Sequence, residues 1–392
     1  MGDQTVLDNK NTNRAIYTEE HEMYRDSLRK FLEKEAVPYF DQWEEDCIIP
    51  RSFWRKMGEN GFICPWVDEK YGGQGTDFGF SAILGQELAK IGAGLTGIGT
   101  HSNIIVPYID SFGTKEQKQK YLPKCVTGEI IPAIAMTEPG AGSDLAGIKT
   151  TAIKEGDHYV INGQKTFITN GIHSDLIIVA CKTDPKASPP HKGVSLMIVE
   201  SNTPGFSRGR KLKKVGMHSQ DTAELVFDNV KVPVTNLLGE EGKGFAYLMT
   251  KLQQERLIAS LNALVAAEDM LQMTIQYVKD REAFGRSISK FQNTQFKIAE
   301  MATEIQIGRT FADDLIAKHI NGEDIVTQVS MAKWWITDMA KRVSIECMQL
   351  HGGYGYMEEY KIARRYRDIP VTSIFAGSNE IMKVIISKRL GL

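Results

Sequence analysis

One glutamate is set apart by its surroundings on a predicted helix. The segment 244–281 has no proline, no glycine after Gly244 and many strong helix formers, so it predicts one long, mostly buried helix. Glu255 shares a stripe with Leu248, Leu252, Ala259, Asn262 and Ala266. A carboxylate in such a stripe must be paired, carry a raised pKa or take part in chemistry. A structural glutamate satisfied by another helix is the competing interpretation.

Two segments in the middle of the chain could hold a flat, phosphorylated group. The loop MTEPGAGSD, 136–144, follows a predicted strand, and its glycines and backbone amides could approach a phosphate or a ring closely. The segment KTFITNG, 165–171, places an aromatic ring beside a hydroxyl group, which suits a heterocycle. The spacing does not match a dinucleotide-binding fingerprint or a Walker loop. An ordinary turn and an ordinary strand are therefore the alternatives.

Three C-terminal segments also contain turns with glycine. In DREAFGRSISKFQ, Arg281 and Arg286 flank a tight turn and suit a phosphate or a carboxylate, although a solvated helix end explains them equally well. QLHGGYGY and IFAGSNEIM leave apolar segments, and Ser378 in the second is expected to cap the last helix. The sequence has no HExxH, no GxSxG and no metal-spaced cluster, so no metal site is predicted.

The periodicity divides the chain into three parts. Residues 1–128 are predicted as an N-terminal helical domain, 129–238 as a middle β-barrel or β-sandwich domain, and 239–392 as a C-terminal four-helix bundle. The expected fold class is thus an α+β multidomain protein.

Local signals refine this division. The pair Asn162-Gly163 predicts a hairpin turn. Helix N-caps are expected at Thr18, at Asn293 and near Thr327.

Composition excludes several classes of function. The net charge is −2 without a block of like charges, so neither nucleic acid nor a membrane surface is an expected partner. No apolar run is long enough for a membrane span. The polar, acid-containing N-terminus resembles neither a secretory signal nor a transit peptide, so a bacterial cytoplasm is expected. A reducing compartment also fits the scattered cysteines Cys47, Cys64, Cys125, Cys181 and Cys347.

Taken together, these segments resemble the acyl-CoA dehydrogenase family over nearly the whole chain. The matching segments are AMTEPGAGSD, NGQKTFITNG, DREAFGRSISKFQ, QLHGGYGY and FAGSNEIM. The resemblance implies FAD bound between the β domain and the C-terminal helices. It also implies α,β-dehydrogenation of an acyl-CoA thioester to the trans-2-enoyl-CoA, electron-transfer flavoprotein as the acceptor, and a homotetramer built as a dimer of dimers.

The resemblance further implies which residues contact FAD. They are Ile134, Met136, Thr137, Gly142, Ser143, Phe167, Thr169, Arg281, Phe284, Gln292, Gln349, Gly353, Ser378 and Glu380. Those from Arg281 to Gly353 would reach the FAD of a neighbouring subunit.

One departure from the common family pattern bears on the mechanism. Most members carry the catalytic glutamate just before the glycine of the FAGSNE segment, where this chain has Ala376. The long-chain and isovaleryl types instead carry the base on the long helix in a motif like QERL, which matches Gln254–Leu257. Glu255 is therefore expected to abstract the α-proton, while flavin N5 accepts the β-hydride.

The same comparison assigns the substrate contacts. The Ala376 N–H would polarise the thioester carbonyl, and Arg256 and Ser143 would contact CoA. An acyl-CoA oxidase of the same fold and a non-catalytic flavoprotein subunit are the alternatives. Acyl-chain length and branching are left open.

Overall fold

The computed structural model describes residues 16–392, and its N-terminal part is helical. The α-helices are α1 (Glu19–Glu35), α2 (Phe40–Asp46), α3 (Arg51–Glu59), α4 (Phe78–Ile91), α5 (Thr96–Thr100), α6 (Val106–Phe112) and α7 (Lys115–Val126). A π-helical turn, His101–Ile105, joins α5 to α6. The predicted cap of α1 is confirmed, because Thr18 and His21 form a reciprocal capping box.

The middle of the chain forms one curled sheet. Its strands are β1 (Pro132–Ala135), β2 (Thr151–Glu155), β3 (His158–Thr169), β4 (Leu176–Lys182), β5 (Val194–Glu200), β6 (Phe206–Lys211) and β7 (Thr222–Pro233). Their order is β1-β4-β2-β3-β7-β6, and β5, which lies off this path, pairs antiparallel with β4. Strands β1 and β4 run parallel. The loop that follows β1 therefore starts on the side of the sheet towards which β4 also runs.

The predicted hairpin at Asn162-Gly163 is wrong. Strand β3 continues through this pair, and β2 and β3 are joined by a tight turn at Gly156 and Asp157. Instead, Gly163 lies at a register shift between β3 and β7. A Cβ on this residue would lie 2.4 Å from Thr150 Oγ1, so the glycine is required for close strand packing.

The C-terminal part is again helical. It comprises α8 (Gly244–Asp280), a two-stranded ribbon of β8 (Glu282–Ala283) and β9 (Arg286–Ser287), α9 (Gln292–Ile320), α10 (Val326–His351), α11 (Lys361–Asp368) and α12 (Asn379–Arg389). Helix α8 packs on α9 and α10, and α10 packs on α12. Helix α4 of the N-terminal part also packs on α8, so one face of α8 is turned towards the first domain.

The cap predictions for this part are mixed. Ser378 caps α12, as predicted. The caps at Asn293 and Thr327 are wrong, because α9 begins at Gln292 after the extended Phe291 and α10 begins at Val326. The residue before α10 is Ile325, which makes no side-chain capping bond, and Asp324 accepts a hydrogen bond from the Val326 N–H. Among the helices of residues 16–392, none has the length and apolar character needed to cross a membrane.

Candidate functional site

Glu255 lies on α8 without a partner. Its side chain is half-buried, and its Oε2 is closed off from solvent with no hydrogen-bond donor in the described chain. Burial raises the pKa of Glu255 to about 7, although the positive charges of Arg256 and Lys333 act to lower it. A structural glutamate would be expected to show a paired carboxylate, so this environment favours chemistry at Glu255.

The turn before α12 lies beside the next residue of α8. Ala376 and Gly377 both have left-handed backbone conformations, with φ of 55° and 85°. A Cβ built on Gly377 would lie 3.9 Å from an Nη2 atom of Arg256, so the guanidinium borders the turn. The N–H of Ala376 makes no hydrogen bond within residues 16–392. An unused amide donor therefore lies close to the helical turn that carries Glu255.

The two glycine- and aromatic-containing segments of the β domain lie side by side. The Thr166 N–H donates to Thr137 O over 2.9 Å, which joins the loop after β1 to the end of β3. Phe167 has φ of 60° and is 68 % exposed, so its ring is held outside the core. Thr169 Oγ1 accepts from Gln220 Nε2. An exposed ring beside hydroxyl groups fits the face and edge of a flat heterocycle.

The same loop is also connected to the core near Glu255. Met136 packs against the core cluster that contains Tyr108 and Leu248. The turn His101–Ile105 contacts both β1 and α8, and Gln254 Nε2 donates to Asn103 O over 2.6 Å. The loop therefore reaches the Glu255 helix through a continuous set of packed residues. Gly142 and Ser143 are exposed at its far end, with open space around the Gly142 Cα.

Comparisons with known proteins agree with this geometry. The N-terminal, middle and C-terminal domains of acyl-CoA dehydrogenase match residues 18–129, 133–230 and 242–391. The chain belongs to the acyl-CoA dehydrogenase family. As a member of it, the protein is a flavoprotein oxidoreductase with FAD as its cofactor. The predicted family and fold are thus confirmed, as is the coarser function, FAD-dependent dehydrogenation of acyl-CoA.

Three relatives show how far the similarity extends. The chain is 45 % identical over 377 residues to the mitochondrial long-chain specific acyl-CoA dehydrogenase of Mus musculus, covering 96 % of this chain and 88 % of that protein. An acyl-CoA dehydrogenase structure from Geobacillus kaustophilus is 68 % identical, with a TM-score of 0.95 and coverage of 96 % and 99 %. A solved chain described as electron transferring flavoprotein of Acidaminococcus fermentans is 38 % identical, with a TM-score of 0.91 and coverage of 95 % and 98 %.

A buried ion pair beneath the segments 136–144 and 165–171 was not predicted from the sequence. Lys165 is fully buried, and its Nζ donates to Met136 O over 2.9 Å and to Glu138 Oε1 over 2.8 Å. The Glu138 carboxylate also accepts from the N–H groups of Lys149 and Thr150. Burial acts to raise the pKa of Glu138, but these hydrogen bonds lower it on balance. The pair thus fixes the loop after β1 against β3.

The predicted FAD contacts after Arg281 lie at the opposite end of α8. Arg281 follows Glu255 by 26 residues, which is ~39 Å along a helix axis. Its guanidinium lies 5.6 Å from the Tyr354 ring centroid, next to Gly353. Phe284 is 96 % exposed, and its ring lies 6.1 Å from that of Phe291, next to Gln292.

The structure therefore places Arg281, Phe284, Gln292 and Gly353 at one end of the helical domain, away from Glu255. Tyr277 links the ends of α8 and α10 by donating to His351 O, and the exposed Gln349 precedes that residue by two positions.

The remaining predicted residues lie at the Ala376 turn. Ser378 caps α12, and Glu380 is exposed in its first turn. Hydrogen bonds from its own N–H and from Ser378 lower the pKa of Glu380. Arg256 is buried, and its Nε has no partner among residues 16–392. Its assignment to CoA stays a prediction.

Proposed function

We propose that Glu255 is the base that removes the α-proton of the acyl-CoA thioester. The observation that carries this proposal is a half-buried carboxylate, without a hydrogen-bond donor among residues 16–392, on the helix beside the Ala376 turn. Burial raises its pKa to about 7. A pKa near the working pH gives a carboxylate both the ionised form and the strength that a general base needs. Ala376 itself cannot remove a proton, which leaves Glu255 as the carboxylate of the QERL motif in this role.

The Ala376 N–H supplies the complementary donor. Removal of the α-proton places negative charge on the thioester oxygen, and a preorganised amide is most useful there. The amide of Ala376 makes no hydrogen bond among residues 16–392, and Arg256 and Lys333 place two positive charges beside the same turn. These charges also favour the ionised form of Glu255.

The residues of the β domain would hold the cofactor against the substrate. Phe167 and Thr169 would contact the flavin ring, together with Met136 and Thr137, and Ser143 would lie near the pyrophosphate and CoA. FAD, when bound, supplies the acceptor for the hydride that leaves the β-carbon. The exposed Phe167 ring and the buried support beneath it favour this placement.

A second copy of the chain would complete the cofactor site. The exposed group around Arg281 and Phe284 begins ~39 Å along α8 from Glu255, at the other end of the helix. This separation supports the predicted homotetramer, in which that group would reach the FAD of a neighbour. Sedimentation velocity should then give a mass near four chains.

Electron-transfer flavoprotein is the proposed electron acceptor, with a bacterial cytoplasm as the location. The similarity to a chain described as an electron transferring flavoprotein and to a Geobacillus protein supports both. An oxidase would instead form hydrogen peroxide in air. Peroxide yield in air, compared with reduction of a ferricenium dye under argon, separates the two activities.

The decisive experiment is the variant Glu255→Gln. We expect it to keep FAD and the fold but to lose at least about 10²-fold in turnover, which is the usual contribution of a general base. Exchange of the substrate α-proton in D₂O, followed by mass spectrometry, should fall by a similar factor. The control is Glu300→Gln on the exposed face of α9, which should match the wild type. Near wild-type turnover of octanoyl- to palmitoyl-CoA by Glu255→Gln would refute the proposal.

A further inference from the structure

We propose that Lys333 is a positioning residue for the reaction, because it holds the turn Ala376–Ser378 in the conformation that presents the Ala376 N–H to the thioester. The inference rests on the proposed function, which gives that amide its role. Lys333 does not contact the reacting atoms in this proposal. It acts through Gly377 and Asn379.

Lys333 is a fully buried lysine with two partners in the last segment of the chain. Its Nζ donates to Gly377 O over 2.7 Å and to Asn379 Oδ1 over 3.0 Å. Asn379 in turn donates to Thr337 Oγ1 and Asp338 Oδ1, each over 3.0 Å. The turn is therefore tied to α10 at two successive points, on either side of Ser378.

The turn needs such an anchor because its backbone is strained. Ala376 adopts φ of 55°, a region that non-glycine residues occupy only at an energetic cost. Such a conformation persists only where the surroundings enforce it. The Lys333 bond to the carbonyl of the following Gly377, together with the Asn379 bonds to α10, restricts the turn on the C-terminal side of Ala376. Without the Lys333 bond we expect the turn, and with it the Ala376 N–H, to leave this conformation more readily.

The charge of Lys333 gives the residue a second, measurable effect. The pKa of Lys333 is lowered to about 8, mainly by burial. Arg256 on α8 and Lys341 on α10 also act to lower it, whereas Asp338 on α10 and Glu380 on α12 act to raise it. Lys333 is thus protonated at pH 7. The charges of Arg256 and Lys333 both act to lower the pKa of Glu255. Burial, and after it the Glu255 carboxylate, raises the pKa of Tyr108 on α6. Loss of the Lys333 charge should therefore raise the pKa of Glu255.

Two variants separate the anchor from the charge. Lys333→Met removes both, and Lys333→Gln keeps an amide donor but no charge. In the holoenzyme with octanoyl-CoA, we expect Lys333→Met to lower kcat by about 10- to 100-fold with little change in KM, since a misplaced group affects the chemical step most. Exchange of the α-proton in D₂O should fall by the same factor. Lys333→Gln should recover part of kcat.

The pH profile supplies a readout that a purely structural role would not move. The acid limb of kcat/KM should shift upward by about 0.5 to 1 pH unit in both variants, as expected for removal of a nearby charge. The control is Lys383→Met, which removes an exposed α12 lysine lying 4.9 Å from the Trp334 ring centroid. Lys383→Met should leave kcat and the acid limb of kcat/KM unchanged.

Distinct results overturn the inference and the proposed function. Turnover within about twofold of wild type and an unshifted limb in FAD-loaded Lys333→Met would refute the role of Lys333. If Lys333→Met does not retain FAD, turnover and the pH profile of Lys333→Gln are measured instead. An unshifted acid limb of kcat/KM in Lys333→Gln would then refute the role of Lys333. Activity retained by Glu255→Gln would instead refute the assignment of the base.

Discussion

Lys165 and Glu138 form a buried ion pair with an N–O distance of 2.8 Å directly beneath the segments that carry Thr137 and Phe167. The pair joins two parts of the chain that are 27 residues apart. Because Lys165 also donates to Met136 O, one ammonium fixes both the strand and the loop. The two segments proposed to contact the flavin are thus supported by an electrostatic contact within the β domain.

The first prediction concerns this support. Lys165→Met leaves the Glu138 charge buried without its cation, which typically costs about 3–5 kcal/mol. We expect lower thermal stability and loss of FAD during gel filtration, measured from the absorbance ratio at 450 and 280 nm. Lys154→Met on the exposed face of β2 is the matched control. Full FAD retention and unchanged stability in Lys165→Met would contradict this role.

The second prediction concerns the pH dependence of catalysis. Glu255 must be ionised to accept a proton, and its pKa is raised to about 7 by burial. The value of kcat/KM should therefore fall tenfold for each pH unit below about 7 and level off above it. Dye-coupled rates between pH 5.5 and 9 measure this limb. A profile that is flat from pH 5.5 to 8 would show that another group is the base.

The third prediction follows from the same pKa through the stability of the fold. A carboxyl whose pKa rises from 4.5 to about 7 on folding binds a proton more tightly in the folded state. Wild-type stability should thus fall as the pH rises from 4.5 to 7, and Glu255→Gln should escape this loss.

The size of the effect is bounded by the partial exposure of the side chain. We expect Glu255→Gln to be more stable than wild type by roughly 2 kcal/mol at pH 8, with little difference at pH 4.5. Melting temperatures of the holoenzyme at both pH values test this. If Glu255→Gln and wild type differ in melting temperature by the same amount at both pH values, ionisation of Glu255 is not the cause. The control Glu300→Gln should have the wild-type melting temperature at both pH values.

The sequence could predict the helices and Glu255 because their signals are local. The stripe on α8 identified an acid among apolar neighbours, and no residue of the described range 16–392 forms a hydrogen bond with that acid. Lys333 has a comparable setting on α10, between Val329 and Ile336, and the same argument would have found it. Its partners Gly377 and Asn379 could not be predicted, because they come from a turn 44 residues later in the chain.

The errors arose where tertiary contacts overrode local preference. An Asn-Gly pair favours a hairpin turn, but Gly163 is used where β3 passes close to Thr150, and the shorter turn at Gly156 closes the hairpin instead. Lys165 was missed for a related reason. The Lys165 side chain points into the core from β3, and Glu138 neutralises its buried charge. Because the two residues are 27 positions apart, no local sequence pattern predicts this pair.

The last prediction moves the base to the position that most family members use. Ala376 lies on the turn that borders Arg256, so a carboxylate placed there would approach the substrate from the neighbouring segment. We expect Glu255→Gln/Ala376→Glu to exceed the turnover of Glu255→Gln by about tenfold or more, yet to stay below wild type. The deficit is expected because a carboxylate moved to the turn is not held in the position and the surroundings that raise the pKa of Glu255.

The matched control is Glu255→Gln/Ala376→Gln, which has nearly the same shape at both positions but no carboxylate. It should show no recovery in dye-coupled turnover or in α-proton exchange. Equal activity of the two double variants would mean that a carboxylate on this turn cannot reach the α-carbon. In that case the turn and α8 would not face the same substrate atom, and the role of the Ala376 N–H would fall with it.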